Sequence, residues 1–125
     1  MRRKFWIAIV LALALFPFAA VSAHRALAAT GDVTVSGEVL DLACYVGHGA
    51  KGPDHAKCAQ KCAESGQPVG LMGADGKLYL LFADHADGAP YGQARAIAGS
   101  KAEIKGELAA KDGINGLTVH AARKL

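Results

Sequence analysis

Aromatic residues are scarce in this sequence. They make up 6% of the 125 residues, and the single tryptophan, Trp6, belongs to a hydrophobic run near the N-terminus. The aromatic residues that follow this run are Tyr45, Tyr79, Phe82 and Tyr91. Proteins that bind single-stranded nucleic acid stack bases on aromatic side chains along a basic groove. The scarcity of aromatic residues argues against such a surface.

An excess of basic charge is missing from most of the chain. The whole sequence has 14 Lys and Arg residues and 11 Asp and Glu residues. Four of the basic residues, Arg2, Arg3, Lys4 and Arg25, precede residue 30, so ten remain beside all eleven acidic residues, a net charge of about −1. A basic patch for nucleic acid is therefore not supported. A glycine-rich strand-loop-helix motif for phosphate is also missing.

The sequence has one long hydrophobic run, and it lies at the N-terminus. Basic residues 2–4 precede an almost unbroken apolar segment at 5–21, and small residues follow. This pattern is typical of a secretory signal peptide, so we predict one over residues 1–29, with cleavage after Ala23 or near Ala28. The alternatives are a retained membrane anchor and export by the twin-arginine route. The predicted location is the periplasm or the cell exterior, with no stable membrane span after cleavage.

The remaining residues, 30–125, suit one small domain. Residues 30–41 alternate between β-branched and polar side chains, which predicts a half-buried strand. The other predicted strands cover 69–72, 77–82, 102–108 and 117–123, and the predicted loops cover 45–52, 83–90 and 112–116. A short helical turn is expected over 91–98. Five short strands with one inserted helix, at about 54–65, predict a mainly β fold, a small five-stranded OB-like Greek-key barrel.

Cysteine is rare, but all three cysteines lie close together in the predicted loop-helix insert over 44–66. Pro53 and Asp54 favour a helix start, and Gly66 favours its end. At 3.6 residues per turn, one face of this helix carries a histidine and two cysteines, while alanines on the adjoining stripe are expected to pack on the sheet. The third cysteine and a further histidine lie in the preceding segment.

Metal binding, a disulfide and simple packing are three interpretations of this cluster. Residues four apart on a helix have Cβ atoms about 5–6 Å apart, whereas a disulfide requires about 3.5–4.5 Å. Cys58 and Cys62 therefore cannot bridge without distorting the helix, while Cys44 could bridge to either one. Thiolate and imidazole donors suit zinc or copper(I), and an odd cysteine count in an exported protein favours a metal. The predicted metal ligands, with His55 preferred to His48, are Cys44, His48, His55, Cys58 and Cys62.

Polar residues outside the cluster carry weaker signals. Asp41 is expected either to cap a turn or to hydrogen-bond a ligand histidine. His85 and His120 stand alone in the sequence and are expected to be solvated, and the carboxylates near His85 are expected to belong to a polar loop.

Three linked motifs lie between residues 37 and 71. They are Gly37-Glu38-Val39-Leu40-Asp41-x-x-Cys44-Tyr45, His55-x-x-Cys58-Ala59-x-x-Cys62 and Gly66-x-Pro68-Val69-Gly70-Leu71. In these motifs the chain resembles a group of small exported bacterial proteins of unknown function, which have an OB-like barrel and a His-x-x-Cys-x-x-x-Cys helix. The resemblance implies the barrel and a special role for the cysteine cluster. It implies no established activity.

The expected function is non-enzymatic. We expect an exported module that binds copper or zinc through the Cys/His cluster, for structural stabilisation or metal handling. The alternative is a disulfide-stapled module that binds a protein partner in the cell envelope without a metal. A thiol redox enzyme fits less well, because Cys-x-x-x-Cys differs from the usual Cys-x-x-Cys spacing and a thioredoxin-like βαβ pattern is missing.

Overall fold

The computed structural model describes residues 31–125, so the predicted signal peptide over 1–29 lies outside the described residues. The elements in chain order are β1 (Gly31–Asp41), α1 (Leu42–His48), a 3₁₀ turn (Pro53–His55), α2 (Ala56–Glu64), β2 (Val69–Gly73), β3 (Leu78–Ala83), α3 (Ala89–Ala96), β4 (Lys101–Lys111) and β5 (Ile114–Lys124). Within this part of the chain, no helix has the length and apolar character needed to cross a membrane.

The five strands form a closed barrel in the order β1-β2-β3-β5-β4. Neighbouring strands are antiparallel, except that β3 and β5 run parallel. β1 closes the barrel because it pairs with β4 along its first part and with β2 along its last part. The predicted mainly β fold and the small OB-like barrel are confirmed. Both α1 and α2 lie between β1 and β2 in the chain, which is where the insert was predicted.

The core fills the barrel and extends beneath α2. Strand residues Val39, Leu71 and Ile104 are completely buried, as expected for the inward positions of alternating strands. Ala59 and Ala63 of α2 join the same cluster, at 2% and 0% exposure. The predicted packing of the alanine stripe is confirmed, and it leaves the other faces of α2 for its polar residues.

The prediction of a loop over 45–52 is wrong for its first part, because residues up to His48 belong to α1. Glycine at positions 47 and 49 suggested a loop. The helix forms nevertheless, because Asp41 caps its N-terminus and Gly49 ends it in the left-handed conformation, at φ 69°. The described chain thus has three α-helices where one helix and one short helical turn were predicted. The third, α3, begins two residues before the helical turn expected at 91–98, with Pro90 in its first turn.

The expected connection over 112–116 is shorter than predicted. Asp112 and Gly113 both have positive φ, at 52° and 84°, and they form a two-residue turn between β4 and β5. Asn115 and Gly116 already belong to β5, where Gly116 pairs with Ala109. Asp112-Gly113 and Asn115-Gly116 are both typical turn dipeptides, and the pairing of β4 with β5 places the turn at the first of them.

Gly37 lies where β1 changes partner, because it pairs with Gly73 of β2 and with Ala102 of β4. A Cβ atom built at this position would collide with the backbone of Met72. Backbone atoms in a closed barrel cannot shift easily, so glycine is required at position 37.

We expect Gly37→Ala to lower the free energy of unfolding by about 1–3 kcal/mol, the usual range for overpacking. The matched control is Gly92→Ala in α3, where an added methyl group meets nothing within 4 Å. Alanine is the better helix former, so the control should be neutral or more stable by about 0.5–1 kcal/mol. Urea unfolding measures both variants, and equal stabilities would contradict the steric argument.

The turn between β2 and β3 is held by Asp75. Its carboxylate accepts hydrogen bonds from the Tyr79 hydroxyl at 2.7 Å and from the Lys77 backbone N–H at 3.1 Å. The bond from Tyr79 is the main reason why the pKa of Asp75 lies below its usual 3.8. Burial, followed by the bond to Asp75, raises the pKa of Tyr79 to about 12.

Tyr79→Phe should reduce stability at neutral pH, and the difference from wild type should shrink in acid. A carboxylate with a lowered folded pKa stabilises the fold above its usual pKa of 3.8, and this contribution is lost as pH falls through the lower folded value. On the alkaline side, the contribution of Tyr79 is lost as pH rises through about 12. Urea unfolding at pH 7 and below pH 4 tests this. Tyr91→Phe is the control and should not change the pH profile.

Candidate metal centre

Asp41 joins the barrel to the cysteine cluster. It is the last residue of β1 and the N-cap of α1, and it is 1% exposed. Its carboxylate accepts hydrogen bonds from the backbone N–H groups of Ala43, at 3.0 Å, and Cys44, at 3.4 Å. Of the two roles expected for this residue, the cap is the one seen. Because the cap fixes the first turn of α1, Cys44 lies directly beside the carboxylate.

The segment between α1 and α2 is tied to the barrel. The backbone N–H of Gly52 donates to the Glu38 carboxylate at 2.5 Å, which anchors the segment to β1. The 3₁₀ turn follows at once, and its last residue, His55, is also the N-cap residue of α2. This anchoring holds the histidine next to α1.

α2 is held from its other end by Arg95 of α3. Two guanidinium nitrogens of Arg95 donate to the backbone carbonyl of Ala63, in the last turn of α2. A cation is favourable at this end of a helix, where carbonyl groups lack partners within the helix. With its alanine face buried and its C-terminus capped, α2 has a fixed rotation about its axis. Cys58 is exposed and Cys62 is half-buried.

The donor atoms fall into two overlapping groups. In the first, one donor atom from each of Cys44, His55 and Cys58 lies within 4.8 Å of the others; we call it the outer group because Cys58 is exposed. In the second, the same holds for Asp41, Cys44 and Cys62; we call it the inner group because Asp41 is buried. The groups share Cys44. Either set of donors could hold a metal ion.

The imidazole of His55 has an unusual environment. Its Nε2 atom is buried and has no hydrogen-bond partner, and it is the one such side-chain atom within residues 31–125. Buried polar atoms in folded proteins nearly always have a partner. A nitrogen without one, on a residue that lies beside two thiols, is what a metal-binding histidine would present.

The carboxylate and the thiols influence each other's protonation. Burial alone would raise the pKa of Asp41, but hydrogen bonds from the Cys44 and Cys62 thiols and from two backbone N–H groups lower it overall. The hydrogen bond to Asp41 is the main cause that raises the pKa of Cys44 to about 12. Burial, followed by the bond to Asp41, raises the pKa of Cys62. At neutral pH and without a metal, we therefore expect both thiols to be protonated.

The structure brings together four of the five predicted ligands, and none of the three cysteines is disulfide-bonded. The fifth, His48, is exposed at the end of α1 and belongs to neither donor group. Asp41 was expected only to cap a turn or to hydrogen-bond a ligand histidine, but its carboxylate also lies beside Cys44 and Cys62. The Asp-x-x-Cys spacing contains the signal for this arrangement, because a helix N-cap carboxylate bonds the backbone two or three residues later.

A carboxylate–histidine arrangement lies outside the two donor groups. His120 contacts Asp32 through Nδ1 and Asp84 through Nε2, each at 3.3 Å. The expectation that His120 stands alone is therefore wrong. The contact arises because strand pairing brings the start of β1, the end of β3 and β5 together, and no local sequence pattern reports this.

Comparisons with protein-family models, with curated proteins and with solved structures find no match to this chain.

The environments of the thiols predict their order of alkylation in the reduced, metal-free protein. Cys58 is exposed and should react with iodoacetamide first. Cys44 should react slowly, because its pKa of about 12 leaves little thiolate at pH 8. Asp41→Asn should accelerate Cys44, since each unit of pKa changes the thiolate fraction about tenfold.

Tryptic digestion gives the readout, because Lys51, Lys57 and Lys61 place the three cysteines on separate peptides. The labelling of Cys58 is the internal control and should not change. An unaltered rate at Cys44 in the Asp41→Asn variant would contradict the assigned hydrogen bond.

Proposed function

We propose that this protein is an exported, non-enzymatic module that binds copper or zinc through its Cys/His cluster. The observation that supports this best is the buried Nε2 atom of His55, which lacks a partner although its residue lies beside Cys44 and Cys58. A metal ion would satisfy this nitrogen and would replace the thiol protons. The donor types suit the proposal, because thiolate and imidazole bind copper(I) and zinc.

The exposure of the site favours metal handling over a purely structural role. Structural zinc sites have four protein ligands and are closed to solvent. Here the outer group has three protein donors, and one of them, Cys58, is exposed. An ion in such a group would be accessible to a competing ligand or to a partner protein in the cell envelope.

Export is the part of the proposal that depends on sequence. It is supported by the basic start, the apolar run and the cleavage motifs before residue 30, and by the resemblance to small exported bacterial proteins. An oxidising compartment leaves unprotected thiols open to disulfide formation. A bound ion would hold the two cysteines of its donor group as thiolates and would protect them from disulfide formation.

A disulfide-stapled interaction module is the second candidate. It is favoured by the proximity of Cys44 to both other cysteines, since donor atoms within 4.8 Å need only a small movement to bridge. In this function one bridge would pin α1 to α2, one thiol would stay free, and the surface around α1 would bind an envelope protein.

Metal titration of the reduced full chain tests the proposed function. Copper(I) under anaerobic conditions, or Zn²⁺, should bind at about one equivalent, in competition with a chromophoric chelator. Cys44→Ser should weaken binding of either ion by at least about tenfold, because Cys44 belongs to both donor groups. The control is His48→Gln, which removes an exposed imidazole from the same helix and should change affinity less than about threefold.

Two results of the titration would contradict this proposal. Wild-type protein that binds neither ion would exclude the metal-binding function, and a Cys44→Ser variant that binds as well as wild type would exclude Cys44 as a ligand. Intact mass after alkylation of protein isolated without reductant separates the alternative. One labelled cysteine and two masked ones would favour the disulfide-stapled module.

A further inference from the structure

Asp41 is a buried carboxylate without a charged partner among the described residues. It is the one buried charged residue within residues 31–125, at 1% exposure. The ion pairs of this part of the chain join His120 to two aspartates and Arg123 to Glu103, so none of them includes Asp41. The backbone hydrogen bonds that it accepts offset the cost of burying this charge, and a cation bound beside it would add a favourable interaction. The carboxylate is therefore available as a ligand for a cation.

The atoms around this carboxylate are suited to a metal ion. One oxygen of Asp41 and the sulfur atoms of Cys44 and Cys62 lie within 4.8 Å of one another. Each carboxylate oxygen accepts one backbone hydrogen bond, and the bond from Cys44 is long, at 3.4 Å. A carboxylate offers about four lone-pair sites. Asp41 can therefore keep its role as a cap and still offer an oxygen to an ion.

The two donor groups differ in charge and in softness. The outer group, with its thiolates ionised, offers two negative charges and a neutral imidazole. The inner group offers two thiolates and a carboxylate, hence three negative charges. Carboxylate oxygen is a common zinc ligand but a poor partner for copper(I), which prefers soft sulfur. The greater negative charge also favours a divalent ion.

We propose that the inner group is a zinc position in which Asp41 is a direct oxygen ligand, and that copper(I) binds at the outer group through His55. This inference rests on the proposed function and deepens it. Cys44 serves both positions, and Asp41 and His55 determine which ion each position prefers. Water would complete the coordination of zinc.

A crossed pair of variants tests the assignment. In the reduced full chain, Asp41→Asn should lower the affinity for Zn²⁺ at least about tenfold and should not lower that for copper(I). His55→Gln should do the reverse. Asparagine is chosen because it is as good an N-cap as aspartate, so α1 should persist. Circular dichroism and thermal unfolding check this. If Asp41→Asn binds zinc as tightly as wild type while copper(I) still binds, the inference is overturned and the proposed function stands.

A measurement on the wild-type protein decides the question if the Asp41 variant fails to fold. X-ray absorption of the zinc-loaded protein should show two sulfur ligands at about 2.3 Å and oxygen ligands, without imidazole scattering. The copper(I)-loaded protein should show imidazole scattering. A zinc spectrum with imidazole or a third sulfur would overturn the inference and leave metal binding intact. Failure to load either ion would overturn both.

Discussion

The contact between Asp41 and the first turn of α1 connects the barrel to the candidate site. The backbone of Asp41 pairs with Val69 of β2, so the residue is part of the sheet. Its side chain caps α1 and lies beside Cys44 and Cys62. A carboxylate confined in this way fixes the direction in which the chain leaves the barrel. The position of the Cys44 sulfur atom depends on it.

The barrel supplies the rigidity that such a cluster requires. Metal-binding side chains must be held by packing and by hydrogen bonds, or the free energy of ordering them opposes binding. Here Glu38 of β1 anchors the segment before α2, and Arg95 of α3 caps the end of α2. The buried alanine face of α2 fixes its rotation against the sheet. Three separate elements therefore converge on a segment that has few apolar residues of its own.

Period-two alternation predicted β1 and β4, because alternating inward and outward positions are recorded in the residue order, and a continuous apolar run predicted β3. The helix at 54–65 was also predictable from its proline and glycine boundaries. The helix α1 was not predictable, since Gly47 and Gly49 favour a loop. Its stability comes from the Asp41 cap and from the backbone hydrogen bond that the N–H of Leu42 donates to Pro68, just before β2. Sequence-based reasoning underestimated an element that tertiary contacts stabilise.

The sequence by itself determined the barrel's strand pattern and the face shared by His55, Cys58 and Cys62, because helical and strand periodicities are local properties of the chain. Only the tertiary structure decided that Cys44 lies near both α2 cysteines while His48 is exposed and belongs to neither donor group. It also decided that Asp41 is buried among thiols and that His120 lies between two aspartates. These outcomes depend on how distant segments meet on closing the barrel, and distances between segments are set by packing and strand register, which local patterns do not encode.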